Sequence, residues 1–161
     1  MEGSYGIPKE YLQVLRVFSD RMGDSGVNWT IIGSLSLASH GVPLVPRDID
    51  ILTDKNGAHA IENIFPEFVN KKVSYSSTGE IGSYFGSLII DGVKIEIMGD
   101  VAKLVQGKWE DILNFDRDKE FMEYGGVKIP ILSLEREYEE YVKLGRLDTA
   151  KYIKKFMVRG K

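Results

Sequence analysis

Two aspartates that flank a single isoleucine are the residues of this chain whose types and spacing best support chemistry. Asp48 and Asp50 lie in the apolar segment DIDIL, which predicts a strand over residues 48–52. Side chains two apart on a strand point to the same side, so both carboxylates would project together. Like charges this close are unfavourable unless a cation offsets them. Because Mg²⁺ prefers oxygen ligands, often carboxylates together with substrate phosphates, the pair predicts a site for a hard divalent cation.

A glycine–serine pair upstream supplies a second chemical group. Gly33 and Ser34 follow the run VNWTII, a predicted strand, and open a predicted helix that ends at Gly41. A glycine lets the backbone approach a ligand closely, and the N–H groups at the start of a helix favour phosphate. The Ser34 hydroxyl can donate one more hydrogen bond. These residues predict a phosphate-binding turn whose serine precedes Asp48 by 14 residues.

A third carboxylate is expected on a neighbouring strand if two metal ions are to be held. Glu96 is the best candidate, because it lies between Ile95 and Ile97 in a predicted strand, where an acidic side chain needs a compensating partner. Asp91 is better explained by an Asp-Gly hairpin turn, and Asp100 by the cap of a following helix. The sequence therefore predicts a set of three carboxylates.

Two other polar residues near these motifs leave alternatives open. Arg47 directly precedes the aspartates, where it could contact a substrate phosphate or pair with neighbouring acids, and the sequence favours neither. His40 closes the predicted glycine–serine helix. We expect it to pack or to cap that helix rather than to act as a base, since no cysteine and only one other histidine could support it.

The composition restricts the chemistry further. The 161 residues include no cysteine, two histidines, 24 acidic and 21 basic side chains. Thiolate nucleophiles, disulfides and cysteine-based zinc sites are therefore excluded, and catalysis would depend on carboxylates with hard cations. The net charge of −3 argues against a dedicated nucleic-acid binder, and it makes a small molecule or a protein a better candidate acceptor than RNA.

The remaining patterns predict a single mixed domain over residues 1–161. No apolar run approaches the roughly 20 residues that span a bilayer, and the N-terminal segment lacks the order of a signal peptide, so we expect a cytoplasmic protein without a membrane segment. Apolar periodicity, glycines and turn dipeptides predict the other elements. They are helices at 9–22 and 58–65, strands at 72–76, 83–90, 93–98 and 127–132, hairpin turns at 91–92 and 125–126, and a helical part over 133–161 divided at Gly145.

The order of these motifs resembles the polymerase-β-like nucleotidyltransferase superfamily. The signature of that superfamily is a strand, a helix that opens with Gly33-Ser34, a strand with Asp48-x-Asp50, and a later strand with Glu96. This likeness covers residues 27–99. Over nearly its whole length the chain is similar to small uncharacterised nucleotidyltransferase-like proteins of thermophilic prokaryotes. The segments that carry this similarity are VNWTIIGSLSLASHGVP, RDIDILTD, DGVKIEIMGD and KIPILSLEREYEEYVKLGR.

The resemblance implies an α/β (α+β) fold, with a mixed sheet flanked by helices, a catalytic core near 27–100 and a C-terminal helical segment. It implies that Gly33 and Ser34 contact the triphosphate of an NTP, expected to be ATP. Asp48 and Asp50 would hold two Mg²⁺ ions, with Mn²⁺ as a substitute. Glu96 would hold the catalytic ion and help to activate the acceptor hydroxyl, so that an NMP group is transferred and pyrophosphate is released.

In antibiotic- and toxin-type relatives a C-terminal helix brings a lysine and an arginine toward the nucleotide. Lys143 and Arg146 occupy comparable positions here, and with Arg47 they complete the nucleotide-binding residues that we expect. The other charges of residues 133–161 are expected to form a solvated helix face, with acidic residues early and basic residues late, as the helix dipole favours.

Two other functions remain compatible with the sequence. A catalytically idle nucleotide-binding or partner-binding module, such as a toxin–antitoxin component, would keep the same residues, since 161 residues leave little room for an acceptor-recognition domain. Such a module implies a protein partner or a homodimer. A glycosyltransferase would also use Asp-x-Asp, although the motif would then follow more than one clear strand.

Overall fold

The computed structural model describes residues 6–111 and 115–157. The helices are α1 (Lys9–Met22), α2 (Gly33–Ser39), α3 (Lys55–Ile64), α4 (Leu134–Lys143) and α5 (Leu147–Met157). The strands are β1 (Trp29–Ile32), β2 (Ile49–Thr53), β3 (Val69–Ser77), β4 (Ile81–Ile90), β5 (Val93–Val105), β6 (Lys108–Asp111), β7 (Lys119–Tyr124) and β8 (Val127–Leu132). Short 3₁₀ turns cover Pro66–Phe68 and Asp116–Asp118.

The strands of the described residues form one mixed sheet in the order β3-β4-β5-β2-β1-β8-β7, with β6 paired to β5. Strand β2 runs antiparallel to β1 and parallel to β5, while β8 runs parallel to β1. The predicted α+β fold with a mixed sheet and helices is confirmed. The central position of β2 matters most for the site, because this strand joins the glycine–serine turn after β1 to the acidic strand β5.

Helices α1 and α3 cover one face of the sheet. The apolar side of α1 buries Leu15 and Phe18 completely. The Phe18 ring stacks on Phe65 with centroids 4.9 Å apart and meets Trp29 edge-on at 5.0 Å. Burial of such side chains stabilises a fold by about 1.5–3 kcal/mol each. This core leaves the alternate residues of β2 and β5 free to face the other side of the sheet.

The two predicted hairpin turns are present. Asp91 and Gly92 have φ values of 49° and 78°, and Gly125 and Gly126 have 58° and 81°. A two-residue turn with both φ values positive matches the twist of the strands that it joins, which is why Asp-Gly and Gly-Gly mark it in the sequence. The predicted division of the C-terminal helices at Gly145 is also correct.

The predicted helix cap at Asp100 is wrong. Asp100 lies inside β5, which continues to Val105 and then turns back through Gln106 and Gly107 into β6. The extension forms because the distal half of β5 pairs with the start of β4, where Lys103 lies opposite Ile81. This pairing spans more than 20 residues of sequence, so local turn signals did not reveal it.

The expected solvated face of α4 is wrong for two of its glutamates. Glu137 and Glu140 are only 4% and 7% exposed. Glu140 is compensated by Lys103 at 3.0 Å and by Arg136 at 2.9 Å, so its burial does not leave a free charge. Among the described residues, no helix is long and apolar enough to cross a membrane.

Candidate active site

Asp50 and Glu96 lie directly opposite each other on adjacent parallel strands. The register of β2 and β5 pairs Asp50 with Glu96, and it pairs the fully buried Ile49 and Ile51 with Ile95 and Ile97. Alternation along each strand therefore sends the isoleucines into the core and both acids to the opposite face. The two carboxyl groups lie close enough for Glu96 to raise the pKa of Asp50.

The electrostatics of this pair favour a proton or a cation. Burial, Glu96 and Asp48 together raise the pKa of Asp50 to about 7, and the nearby Lys94 opposes that rise. The Lys94 ammonium lies 3.5 Å from Glu96 Oε2 and is half exposed, so it balances only part of the negative charge. The pair can therefore share a proton when empty and accept a divalent cation in its place.

Asp48 lies beside the pair rather than on the same strand. The predicted strand began at Asp48, but β2 begins at Ile49 and Asp48 occupies a bend just before it. In residues 6–111 and 115–157, no three His, Cys, Asp or Glu side chains converge closely enough to hold an ion as they stand. Two adjoining carboxylates with a third nearby still provide the hard oxygen donors of a divalent-cation site, whose remaining ligands would be water and phosphate.

The glycine–serine turn packs directly against Asp50. Gly33 has φ of +75°, and a Cβ on it would lie 2.9 Å from Asp50 Oδ2, so only glycine fits without strain. The Gly33 N–H does not point to an empty phosphate site, because it donates to Glu137 Oε2 at 3.1 Å. Of the predicted pair, the polar groups of Ser34 are therefore the ones that border the open cleft.

An open cleft of about 660 Å³ lies in front of these residues. It brings together five of the predicted site residues and adds Tyr141 from α4. The loop before β2, which contributes Arg47, is tied to α1 by a hydrogen bond from the Tyr11 hydroxyl to the Arg47 carbonyl. The predicted residues that line the cleft are Gly33, Ser34, Arg47, Asp48 and Asp50.

The two predicted C-terminal cations diverge. Arg146 lies near Tyr141, where its charge opposes the rise in the tyrosine's pKa that burial and Glu137 cause. The Lys143 ammonium instead lies 3.5 Å from Glu110 on β6. Successive residues of a helix are rotated by about 100°. Lys143 lies two positions after Tyr141, so its side chain points away from the cleft that Tyr141 lines. The structure therefore does not bring Lys143 to the site.

Glu137 and Tyr141 are site residues that sequence reasoning missed. They are four residues apart, so they share one face of α4. The local pattern places Glu137 among the charges of a solvated helix face and gives no sign that Tyr141 lines a cleft. The sequence does show that the acid and the tyrosine are four residues apart on a predicted helix. This spacing does not indicate which residues of the sheet they contact.

Comparison with known proteins gives the family. The family described as aminoglycoside-2″-adenylyltransferase matches residues 13–152. The chain belongs to this family. This adenylyltransferase-family protein is similar to a candidate nucleotidyltransferase from Thermotoga maritima, with 52% identity over 95% of this chain and 96% of that one and a TM-score of 0.82. This chain is therefore a nucleotidyltransferase, an enzyme of the class that transfers nucleoside monophosphates.

The fold of this family member also resembles that of a more distant protein. The antibiotic-resistance factor ANT(2″)-Ia, in its complex with adenylyl-2″-tobramycin, is 10% identical over 95% of this chain and 100% of that one, with a TM-score of 0.55. At this identity the likeness shows a shared fold. No match is found among curated proteins.

Proposed function

We propose that this nucleotidyltransferase transfers the NMP group of an NTP, ATP in the simplest case, to a hydroxyl group and releases pyrophosphate. The observation that carries the proposal is the pairing of Asp50 with Glu96 beside the Gly33–Ser34 turn. One compact site then offers oxygen donors for a cation next to polar groups for a phosphate, and these are the two requirements of phosphoryl transfer.

Asp48, Asp50 and Glu96 are the residues that would hold the divalent ions, which this family generally uses. We propose two Mg²⁺ ions, with Mn²⁺ as a substitute. These residues fit a divalent cation because their carboxylate oxygens are hard donors. Lys94 balances only part of their negative charge. When bound, the ions would supply positive charge that stabilises the attacking and leaving oxygens.

The chain's own groups have separate tasks in this proposal. The Ser34 hydroxyl and backbone bind the triphosphate, and Arg47 adds a cationic contact from the exposed side of the cleft. Arg146, beside Tyr141, is the second such cation. The acceptor oxygen bonds to the α-phosphorus, and the bond from that phosphorus to the bridging oxygen of the β-phosphate breaks. Glu96 accepts the hydroxyl proton, and pyrophosphate leaves.

The acceptor that we propose is a hydroxyl-bearing small molecule. The family description and the adenylyl-2″-tobramycin complex of ANT(2″)-Ia support this choice. A protein hydroxyl is the other candidate, and the open form of the cleft would admit either. Label from α-labelled ATP that enters a low-mass product supports the first, and label retained on protein supports the second.

Calorimetric titration with ATP tests the proposal. We expect binding that requires Mg²⁺ and that weakens at least about tenfold in Asp50→Asn and in Glu96→Gln, because each variant removes one charged oxygen ligand. Asp91→Asn is the matched control, since that carboxylate lies exposed in the β4–β5 turn. Absence of Mg²⁺-dependent ATP binding to the wild type would contradict the proposal. Binding without any transfer from labelled ATP would instead identify an idle module.

A further inference from the structure

We propose that Glu137 is a positioning residue, which holds the Gly33–Ser34 turn in the orientation that presents Ser34 to the nucleotide. The inference rests on the proposed function, because it assigns Ser34 to the triphosphate. It adds a residue from α4, more than 100 positions away in sequence, to a turn that β1 and α2 alone do not hold.

The turn is held from two sides. On one side, Asp50 Oδ2 occupies the space where a Cβ of Gly33 would lie. On the other, Glu137 Oε2 accepts the Gly33 N–H at 3.1 Å. Helix α2 has no side-chain cap of its own, since its N-cap residue is Ile32. Glu137 thus accepts one of the N–H groups at the start of α2 that have no partner within the helix.

The hydrogen bonds around Glu137 indicate how its carboxyl group acts. The Ser36 hydroxyl donates to the Leu132 carbonyl at 3.0 Å, and a serine hydroxyl has only one proton to donate. Ser36 also lies near the Glu137 carboxyl group, and its hydroxyl opposes the rise in the pKa of Glu137. The contact that the geometry establishes for this carboxyl is the hydrogen bond that it accepts from the Gly33 N–H.

The surroundings agree with a neutral carboxyl. Burial raises the pKa of Glu137 to about 8, although the nearby Lys103 and the Gly33 and Ser36 hydrogen bonds oppose this rise. Lys103 already pairs with Glu140 at 3.0 Å, so its charge is largely committed to that partner. A glutamine has nearly the same shape and keeps an uncharged oxygen acceptor for the Gly33 N–H, and it is therefore the conservative replacement that the geometry predicts will work.

Loss of this contact would affect nucleotide binding and not only stability. Without Glu137 the partly buried Gly33 N–H loses its acceptor, and the turn gains freedom to rotate that amide toward water. Ser34 follows in the chain and would move with it. Small misplacements of a positioning group can reduce a rate by about 100-fold.

Three variants of α4 test the role. Glu137→Gln keeps an oxygen that accepts from the Gly33 N–H, whereas Glu137→Met keeps the length of the side chain and removes that acceptor. Glu139→Gln is the matched control, because Glu139 is exposed on the same helix. Urea unfolding of each variant establishes that it is folded under the assay conditions, and Glu137→Ala replaces the methionine variant if that variant does not fold.

Amide hydrogen exchange at Gly33, measured by NMR without nucleotide, tests the contact itself. We expect slow exchange in the wild type, in Glu137→Gln and in Glu139→Gln, and exchange at least about tenfold faster in Glu137→Met, from the loss of one buried hydrogen bond. Equal protection in the wild type and Glu137→Met would overturn the proposal.

Titration of the same proteins with ATP and Mg²⁺ tests the consequence. We expect the dissociation constant and the KM for ATP to rise about tenfold in folded Glu137→Met and to stay within about threefold of wild type in Glu137→Gln. Wild-type affinity in Glu137→Met would overturn the positioning role alone. If the wild type itself binds no ATP, the proposed function fails and the nucleotide role of Glu137 fails with it.

Discussion

At the scale of single residues, the site depends on close contacts between charged and backbone groups. Asp50 lies against both Glu96 and the Gly33 turn, so its carboxyl links the acidic strand to the glycine–serine turn. The pairing of Asp50 with Glu96 could be predicted in outline, because alternation with isoleucine gives the face of each acid. The contact of Glu137 with Gly33 could not, since nothing local to either residue indicates the other.

Gly33 tolerates no side chain. In Gly33→Ala the new Cβ would meet Asp50 Oδ2 at 2.9 Å with the backbone at φ of +75°, and we expect a loss of about 2 kcal/mol or more in unfolding free energy. Gly41→Ala is the control, because Gly41 has φ of +86° and no atom near a Cβ position. Urea unfolding of both variants isolates the Asp50 contact. Equal losses would show that only the backbone strain matters.

Glu137 makes stability depend on pH. The carboxyl is protonated in both states at low pH, but above its ordinary value of 4.5 the unfolded chain releases the proton while the folded chain keeps it up to about pH 8. Stability must therefore fall as the pH rises between these values, by about 1.4 kcal/mol per unit for one proton.

The comparison with Glu137→Gln isolates this effect. The unfolding free energy of the wild type minus that of the variant should decrease steadily from pH 5 to pH 8, measured in urea without added metal. Asp50 contributes equally to both proteins and cancels in the difference. Two curves that run parallel over this range would mean that Glu137 is ionised in the folded protein.

At the scale of elements, α4 connects the C-terminal segment to the sheet. Arg136 pairs with Glu140 at 2.9 Å and with Asp118 at 2.7 Å, and Glu140 also pairs with Lys103 of β5. These side chains are mostly buried, apart from the partly exposed Asp118. The limits of α1 could be predicted from its apolar period and from Gly23, but the position of α4 depends on this charge network between distant elements.

Removal of one cation from the network should be costly. We expect Lys103→Met to lower the unfolding free energy by about 3 kcal/mol, because it leaves the buried Glu140 with a single partner. Lys143→Met is the matched control, since its pair with Glu110 is nearly half exposed, and its loss should cost less than about 0.5 kcal/mol. Chemical denaturation compares the two. A similar small cost for both would mean that the Lys103 pair is not stabilising.

At the scale of the whole molecule, the strand order assembles the site from three distant segments. The antiparallel β1–β2 pairing puts Ile32, just before Gly33, opposite Asp50, and the parallel β2–β5 pairing puts Glu96 on the other side. Sequence motifs predicted these three segments, since each carries its own local signal. They did not predict β6 or the burial of Glu137, because both depend on pairing and packing between residues far apart in sequence.

The fold also contains a second acidic cavity, which gives a clear alternative for a cation. This cavity of about 300 Å³ lies at the other end of β2 and includes Asp54, Asp100 and Asp111. Its carboxylates do not adjoin the glycine–serine turn, so a nucleotide bound there would lack the polar groups of Ser34. Among the described residues, the three carboxylates there do not converge closely enough to hold an ion as they stand.

The location of the metal ions with nucleotide bound decides whether Asp50 and Glu96 form the metal site. Crystals grown with Mn²⁺ and an ATP analogue that resists cleavage between the α- and β-phosphates would give anomalous signals at the ions. We predict those signals within coordination distance of Asp50 and Glu96, with the triphosphate against Ser34. Signals at Asp54 and Asp100 with none at Asp50, or a nucleotide bound away from Ser34, would contradict the claim.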